Sequence, residues 1–328
     1  MKVTIVGGSG FIGSNLSNLL DEKKHSFDIF DLKPSYLFAS KTIIGDIKNP
    51  SDLNSIDQCD AIINLAAVHR DDIDPVSLYD EVNIQGSKNV CDLARKKNIK
   101  KIIFTSSVAV YGFAEPDTNE SGKINYFNDY GRTKYLAEKE YLKWFEEDTA
   151  NRSLIIIRPT VVFGEGNRGN VFNLLKQIQT KRFVMFGDGK NVKSMAYVEN
   201  VAAFIEFSLS MKQGMHLFNY IDKPDIDMNN LISMTRNILF GKKNVGIRMP
   251  SFLANIIGIF ADTISKSLNK NLPISSIRVK KFLSTTKFSS SVSETGFIAP
   301  CSLEEGLKNT INYEFLEDNS DKPVFDTE

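Results

Sequence analysis

Cysteine is scarce in this chain: three in 328 residues, at Cys59, Cys91 and Cys301. The number is odd and the spacing fits no metal-ligand pattern, so neither a disulfide framework nor a metal knuckle is supported. Cysteines scattered in this way read as small buried apolar residues of a protein kept in a reducing compartment. An excess of charge is also missing. Lys+Arg and Asp+Glu both number 40, which removes the overall basic field that nucleic-acid binding calls for. No run reaches the roughly 18 apolar residues of a spanning helix. No charged segment followed by a long apolar stretch opens the chain, so the expectation is a cytoplasmic protein without a signal peptide. Internal repeats and low-complexity tracts are absent as well.

What is present is alternation. Apolar residues make up 42% of the chain, enough for a real core. "VTIVGG", "FDIFDL", "AIINLAA", "KKIIFTSS" and "SLIIIRPTVVFG" are short apolar runs separated by helical patterns. In the first helix Phe11, Ile12, Leu16, Leu19 and Leu20 share one face. Strands alternating with helices predict an α/β fold, a Rossmann-type doubly wound parallel sheet covered on both faces. Beyond residue 164 the pattern loosens into a smaller C-terminal substrate lobe. The expected division is a nucleotide-binding core over 1–165, with 190–215 returning to it. A substrate lobe takes 166–189 and 216–315, and 316–328 forms a polar tail.

The first strand runs into Gly7, Gly10 and Gly13. In that strand–turn–helix setting the glycines permit a tight turn, close approach of backbone to a pyrophosphate, and close helix–strand packing. Asp31 ends the second strand, placed to bind ribose hydroxyls, and a carboxylate there favours NAD over NADP despite the nearby Lys33. Asp46 is the expected contact to the adenine. The strand "KIIF" delivers Ser106 and Ser107 to the ligand-binding edge of the sheet, and "YGRTK" puts Tyr130 and Lys134 on one helix face. A phenol with a pKa near ~10 is a poor base at neutral pH. A neighbouring ammonium and a positive nicotinamide are expected to lower it, with a serine hydroxyl holding the substrate oxygen.

Taken together, "GGSGFIG", Asp31, "NLAA" at 64–67, Asn83, "FTSSVAVYG", "YGRTK" and "RPTVVFG" resemble the extended short-chain dehydrogenase/reductase superfamily in its nucleotide-sugar epimerase/dehydratase branch. The likeness extends to about residue 315. It implies a catalytic set of Ser107, Tyr130 and Lys134. It also implies a cofactor site of Gly7, Gly10, Phe11, Ile12, Gly13, Asp31, Asp46, Ile47, Leu65, Ala66 and Ala67, with Tyr130 and Lys134 reaching the same cofactor. Thr133 departs mildly from the serine usual before the lysine. Val108 and Ala109 follow Ser107, in place of the acidic pair of the dehydratases or the cysteine of the epimerase-reductases. The minimal set that remains suits an NAD-dependent 4-epimerase.

Five further segments resemble the group of surface-polysaccharide 4-epimerases that convert N-acetylglucosamine to N-acetylgalactosamine on undecaprenyl diphosphate, in O-antigen assembly. They are "AAVHRDD" at 66–72, "GNRGNVFNLLKQI" at 166–178, "KSMAYVENVAAFI" at 193–205, "FNYIDKPD" at 218–225 and "SSIRVKKF" at 275–282. Substrate contacts are expected at Ser107, Arg168, Lys193, Arg278 and His69, the three cations facing the diphosphate. The apolar face of 248–270, flanked by Arg248, Lys266 and Lys270, admits two readings. It packs on the substrate lobe, or it lies on the anionic cytoplasmic leaflet of the inner membrane. A homodimer through the Tyr130 helix is implied by the resemblance alone. The competing functions are a soluble UDP-hexose or UDP-N-acetylhexosamine 4-epimerase, an NAD(P)-dependent sugar or sterol reductase/dehydrogenase, and a non-catalytic NAD-binding protein.

Overall fold

The computed structural model describes residues 1–70, 73–253, 256 and 276–326, with the side chains of Ile277 and Arg278 excepted. Seven parallel strands form its centre: β1 (Lys2–Val6), β2 (Ser26–Asp31), β3 (Thr42–Ile44), β4 (Ala61–Asn64), β5 (Lys101–Thr105), β6 (Ser153–Pro159) and, after the short β7 (Val161–Phe163), β8 (Met185–Phe186), β9 (Val192–Lys193) and β10 (Met195–Tyr197), the strand β11 (Met215–Tyr220). Their order is β11-β6-β5-β4-β1-β2-β3. The order reverses between β1 and β4, and in such sheets ligands bind at that point, outside the carboxyl ends of the strands.

The runs of β-branched residues explain why these segments are strands. Every residue of β4 and of β6 is buried, as a strand covered on both faces requires. α1 (Phe11–Glu22) and α6 (Val198–Ser208) pack together on one face. Leu16, Leu20, Phe204 and Ile205 meet Val3, Ile5 and Ile63 in that core. On the other face, behind α2 (Pro50–Leu53), α3 (Gly86–Lys96) packs against α4 (Asp129–Glu146). Cys59 and Cys91 lie inside this second core, as small apolar residues would.

A third core lies mostly in the C-terminal half of the chain. It is built from α5 (Asn170–Gln179), α7 (Met228–Phe240) and, after α8 (Ser276–Leu283), α9 (Leu303–Phe315). Two small ladders complete it: β9 with β12 (Ile226–Asp227), and β8 with β13 (Arg248–Met249). Phe11 and Phe163 join this core to the nucleotide-binding half.

Two expectations are refined. β11 hydrogen-bonds to β6 along its whole length, so the sheet continues beyond the return expected at 190–215. The expected polar tail is a strap. Arg168 N donates to the Phe325 carbonyl at 2.9 Å, Phe325 N donates to Gly166 O at 2.9 Å, and the Phe325 ring lies 5.7 Å from that of Phe11. Most of the apolar stretch 248–270 lies outside the described residues. Within it Phe252 and Ile256 are exposed.

Candidate active site

β1 ends in the glycine turn. Gly7 has φ +79°, and a Cβ there would stand 2.5 Å from Ala66 N. A Cβ on Gly13 would stand 2.5 Å from Gly8 Cα, so only glycine lets α1 sit this close to the turn. Gly10 caps α1, and no side chain takes the helix's first amides. Those donors face outward at the end of a helix dipole, the arrangement that binds a pyrophosphate. Asp31 closes β2 over the same turn: its carboxylate accepts from Ser9 N at 3.0 Å and from Lys33 N at 3.3 Å. Burial pushes this carboxyl up, against the pull of the Ser9, Lys33 and Leu32 amides. Leu65, Ala66, Ala67 and Ile12 are half-buried around the turn, and Phe11 is buried. Ile47 is buried with its carbonyl accepting from Asn89 at 2.9 Å. Asp46 holds Lys48 N at 2.9 Å.

The chemical end of the site grows from β5. Ser107 leaves the strand in extended backbone and caps the short turn 108–111, its Oγ accepting from Ala109 N at 3.1 Å. Tyr130 stands in the first turn of α4, whose start is fixed by Asn128 Oδ1 accepting from Gly131 N at 3.0 Å. Tyr130 is half-buried, and the next residue, Gly131, lies against the Ala109 carbonyl of the Ser107 turn. Lys134, one helical turn on, is buried. Its Nζ donates to the Thr105 carbonyl at 2.5 Å and sits 4.6 Å from the Phe104 ring centre. The structure therefore brings the three expected catalytic residues together.

The electrostatics differ from the expectation in one respect. Burial pushes the Tyr130 phenol up to about 12, and the neighbouring Ser107 hydroxyl only partly offsets this. Burial also pulls the Lys134 ammonium down to about 7, with Glu138 acting the other way. By itself the protein disfavours both charged forms, because desolvation outweighs the local partners. A fixed positive charge nearby favours the phenolate, which is what an oxidised nicotinamide supplies.

One support, the Glu138–Arg158 pair, was not singled out from the sequence. Glu138 lies four residues after Lys134 and takes Arg158 through two bonds, at 2.8 and 2.6 Å. Arg158 also donates to the Tyr111 hydroxyl at 2.6 Å. The pairing at i and i+4 was legible, whereas its partner on β6 was not. Asn83 lies in a π-helical turn, Tyr79–Gln85, that leads into α3. It accepts from Val68 N at 2.8 Å and donates to Thr133 Oγ1 at 2.9 Å. Thr133 thus supplies the hydroxyl that a serine would. Ser106 Oγ is buried without a hydrogen-bond partner among the described residues.

The expected diphosphate contacts are not gathered in one place. Arg168 is paired with Glu314 of α9 at 2.6 Å, and Glu314 also accepts from Gly166 N at 2.7 Å. The anion at that turn is therefore internal. Lys193 donates to the carbonyls of Lys281 and Ser284 at 2.9 and 2.6 Å, at the end of α8. Burial pulls it down to about 8. His69 is exposed beside the Ala67 carbonyl. The Arg278 side chain lies outside the described residues.

A parallel sheet, a glycine turn that fits a dinucleotide and a Ser–Tyr–Lys set define a short-chain-type oxidoreductase scaffold, with NAD as cofactor. The chain belongs to the NAD dependent epimerase/dehydratase family, whose model matches residues 3–219. Over its full length it is 42% identical to the N-acetyl-alpha-D-glucosaminyl-diphospho-ditrans,octacis-undecaprenol 4-epimerase of Escherichia coli O157:H7, covering 99% of that protein. It is 24% identical to the UDP-glucose 4-epimerase of Vibrio cholerae, over 97% of each chain. Among solved structures, UDP-glucose 4-epimerase of Thermotoga maritima with UDP-glucose has a TM-score of 0.74 at 20% identity, covering 97% of this chain and all of that one. MoeE5 with UDP-glucose and NAD also has a TM-score of 0.74 at 20% identity, covering 95% and 98%. At that identity both speak to the fold alone.

Proposed function

We propose that the protein is an NAD-dependent 4-epimerase that interconverts GlcNAc and GalNAc while the sugar is attached to undecaprenyl diphosphate, in surface-polysaccharide assembly. The observation that carries this reading is the 42% identity, without loss of length, to a relative of that name. The site agrees with it. The Ser107 turn meets the start of the Tyr130 helix, and Val108 and Ala109 bring no carboxylate beside Ser107 for removing water.

When bound, NAD would supply the hydride acceptor and donor for sugar C4, held by the glycine turn at Gly7, Gly10 and Gly13 and by Asp31. The rest falls to the chain. Ser107 holds the C4 oxygen by a hydrogen bond. Tyr130 removes the hydroxyl proton and later gives it back. Lys134 keeps positive charge near the phenolate and orients the cofactor's ribose. The amides opening α1 bind the pyrophosphate, and Asp31 the adenosine ribose. Of the cations expected at the substrate diphosphate, Lys193 is the one we retain. Its ammonium is desolvated and held only by carbonyls among the described residues, whereas Arg168 is already neutralised by Glu314. Two further parts of the reading rest on the same resemblance: α4 pairs two copies of the chain, and the 248–270 region rests on the anionic inner leaflet. Among the described residues no helix is long and apolar enough to cross a membrane.

The test is epimerisation of GlcNAc-diphosphate-undecaprenol in detergent, run beside UDP-GlcNAc. Product is read as GlcNAc against GalNAc after mild acid release. Conversion of the lipid alone is the expected result. Conversion of UDP-GlcNAc alone would move the enzyme to the soluble nucleotide-sugar pool.

A further inference from the structure

Three aromatic residues near Ser107 and Tyr130 belong to none of the apolar cores. Phe113, Tyr126 and Phe127 are 38%, 40% and 43% exposed. They stand on the two loops that carry the chemistry: Phe113 follows the Ser107 turn, and Tyr126 and Phe127 immediately precede α4 and Tyr130. The loops touch. A Cβ on Gly112 would lie 2.1 Å from the Asn125 carbonyl oxygen, and one on Gly131 would lie 2.5 Å from Ala109 O and 3.0 Å from Tyr126 Cβ. The Phe113 and Phe127 rings sit 5.0 Å apart. Above them the last turn of α8 brings two cations: Lys280 Nζ is 4.6 Å from the Phe113 ring centre, and Lys281 Nζ is 5.0 Å from that of Phe127. The same helix end receives the Lys193 ammonium on the Lys281 and Ser284 carbonyls.

A soluble protein gains nothing from leaving two large rings open to water beside its catalytic serine and tyrosine. Ring faces beneath ammonium groups match a ligand that is anionic at one end and apolar at the other. Both ends of that ligand must lie within a few ångströms of the reacting sugar. We propose that the Phe113–Phe127 pair with Lys280 forms a subsite for the prenyl diphosphate end of the substrate: the lysine takes the diphosphate, and the rings cover the first isoprene units. This rests on the lipid-linked reading above and assigns residues to it. Cation–π contacts at exposed sites are weak, so a diphosphate can draw Lys280 off Phe113 and free the ring for the lipid.

The experiment uses two dissolved substrates without detergent or vesicles, GlcNAc-diphosphate carrying either a farnesyl or a methyl group. The wild type is expected to favour the farnesyl compound by at least about tenfold in kcat/KM, expressed in KM, as burial of several methylenes predicts. In the double variant Phe113→Ser/Phe127→Ser that preference should fall to about threefold or less, and Phe113→Leu/Phe127→Leu should restore most of it. Lys280→Gln should raise KM for both compounds alike. Thermal unfolding of each variant separates loss of the subsite from loss of the fold, and the wild type's own preference between the two compounds remains decisive if the serine pair unfolds. A preference unchanged in the serine variant, or absent from the wild type while both compounds are epimerised, overturns the subsite and leaves the 4-epimerase reading standing. So does a defect seen only with vesicle-bound substrate, which would assign the rim to the bilayer surface. Conversion of UDP-GlcNAc with neither lipid compound converted would remove both.

Discussion

At the scale of single residues, the catalytic set is held under electrostatic strain. Lys134 carries a proton up to pH 10.5 in the unfolded chain, but only up to about 7 when folded and free of NAD. Between those values the unfolded state binds more protons, so stability rises with pH through that window. The cost of charging the buried amine is a few kcal/mol, at ~1.4 kcal/mol per pH unit of displacement. Lys134→Met should therefore unfold at a higher temperature than the NAD-free wild type at neutral pH while losing epimerisation. The gap should close as the pH approaches ~10, where the amine is neutral in both states. Unfolding temperatures from pH ~6 to ~10 test this, and a gap that stays constant would sink it. Tyr130→Phe keeps the ring and removes the proton carrier. Turnover should fall by about 10³-fold with NAD still recovered from the denatured protein. Wild-type-like turnover would overturn the role of the phenol.

Among the elements, α9 and the strap after it decide how the two lobes meet. Glu314 closes the 165–170 turn by binding both Gly166 N and Arg168. Its side chain is 3% exposed, and that of Arg168 is 26% exposed, so solvent tempers only one partner. Glu314→Ala leaves an amide and a half-buried guanidinium unpaired, and should cost about 2 kcal/mol. A urea midpoint measured at unchanged slope reads that loss. Glu314→Gln, which still offers an acceptor to Gly166 N, should cost less. Equal midpoints for all three proteins would show that the pairing contributes nothing to the junction. From the sequence this turn read as an anion site for substrate. The glycine-bearing entry to a helix was visible there, but the carboxylate that fills it comes from 148 residues further along.

At the scale of the whole molecule, the described part of the 248–270 stretch is a surface that is partly apolar and basic. Phe252 is 60% and Ile256 45% exposed near the exposed Arg248. A peripheral protein meeting an anionic leaflet combines such features. Replacing Phe252 and Ile256 by Ser should reduce co-sedimentation with vesicles containing anionic lipid, while the rate on a dissolved farnesyl substrate stays within about twofold, because two scattered surface side chains contribute little to the fold. Undiminished sedimentation would return that surface to ordinary packing.

The local pattern determined most of the architecture and the chemistry. Alternating apolar runs dictated a parallel sheet, because strands buried on both faces have no polar side to show. The glycines at 7, 10 and 13 and Asp31 were legible because their spacing is constrained by backbone contact within one β–α–β unit. Tyr130 and Lys134 were legible because one helical turn separates them. Tertiary structure alone decided what depends on distant segments meeting. It joined Glu138 to Arg158 and Glu314 to Arg168, set Lys280 over Phe113, and turned a polar tail into a strap. It also decided the sign of the Tyr130 displacement. Composition names the neighbouring charges, whereas desolvation depends on how much of the folded protein surrounds the hydroxyl, and no local window of sequence contains that quantity.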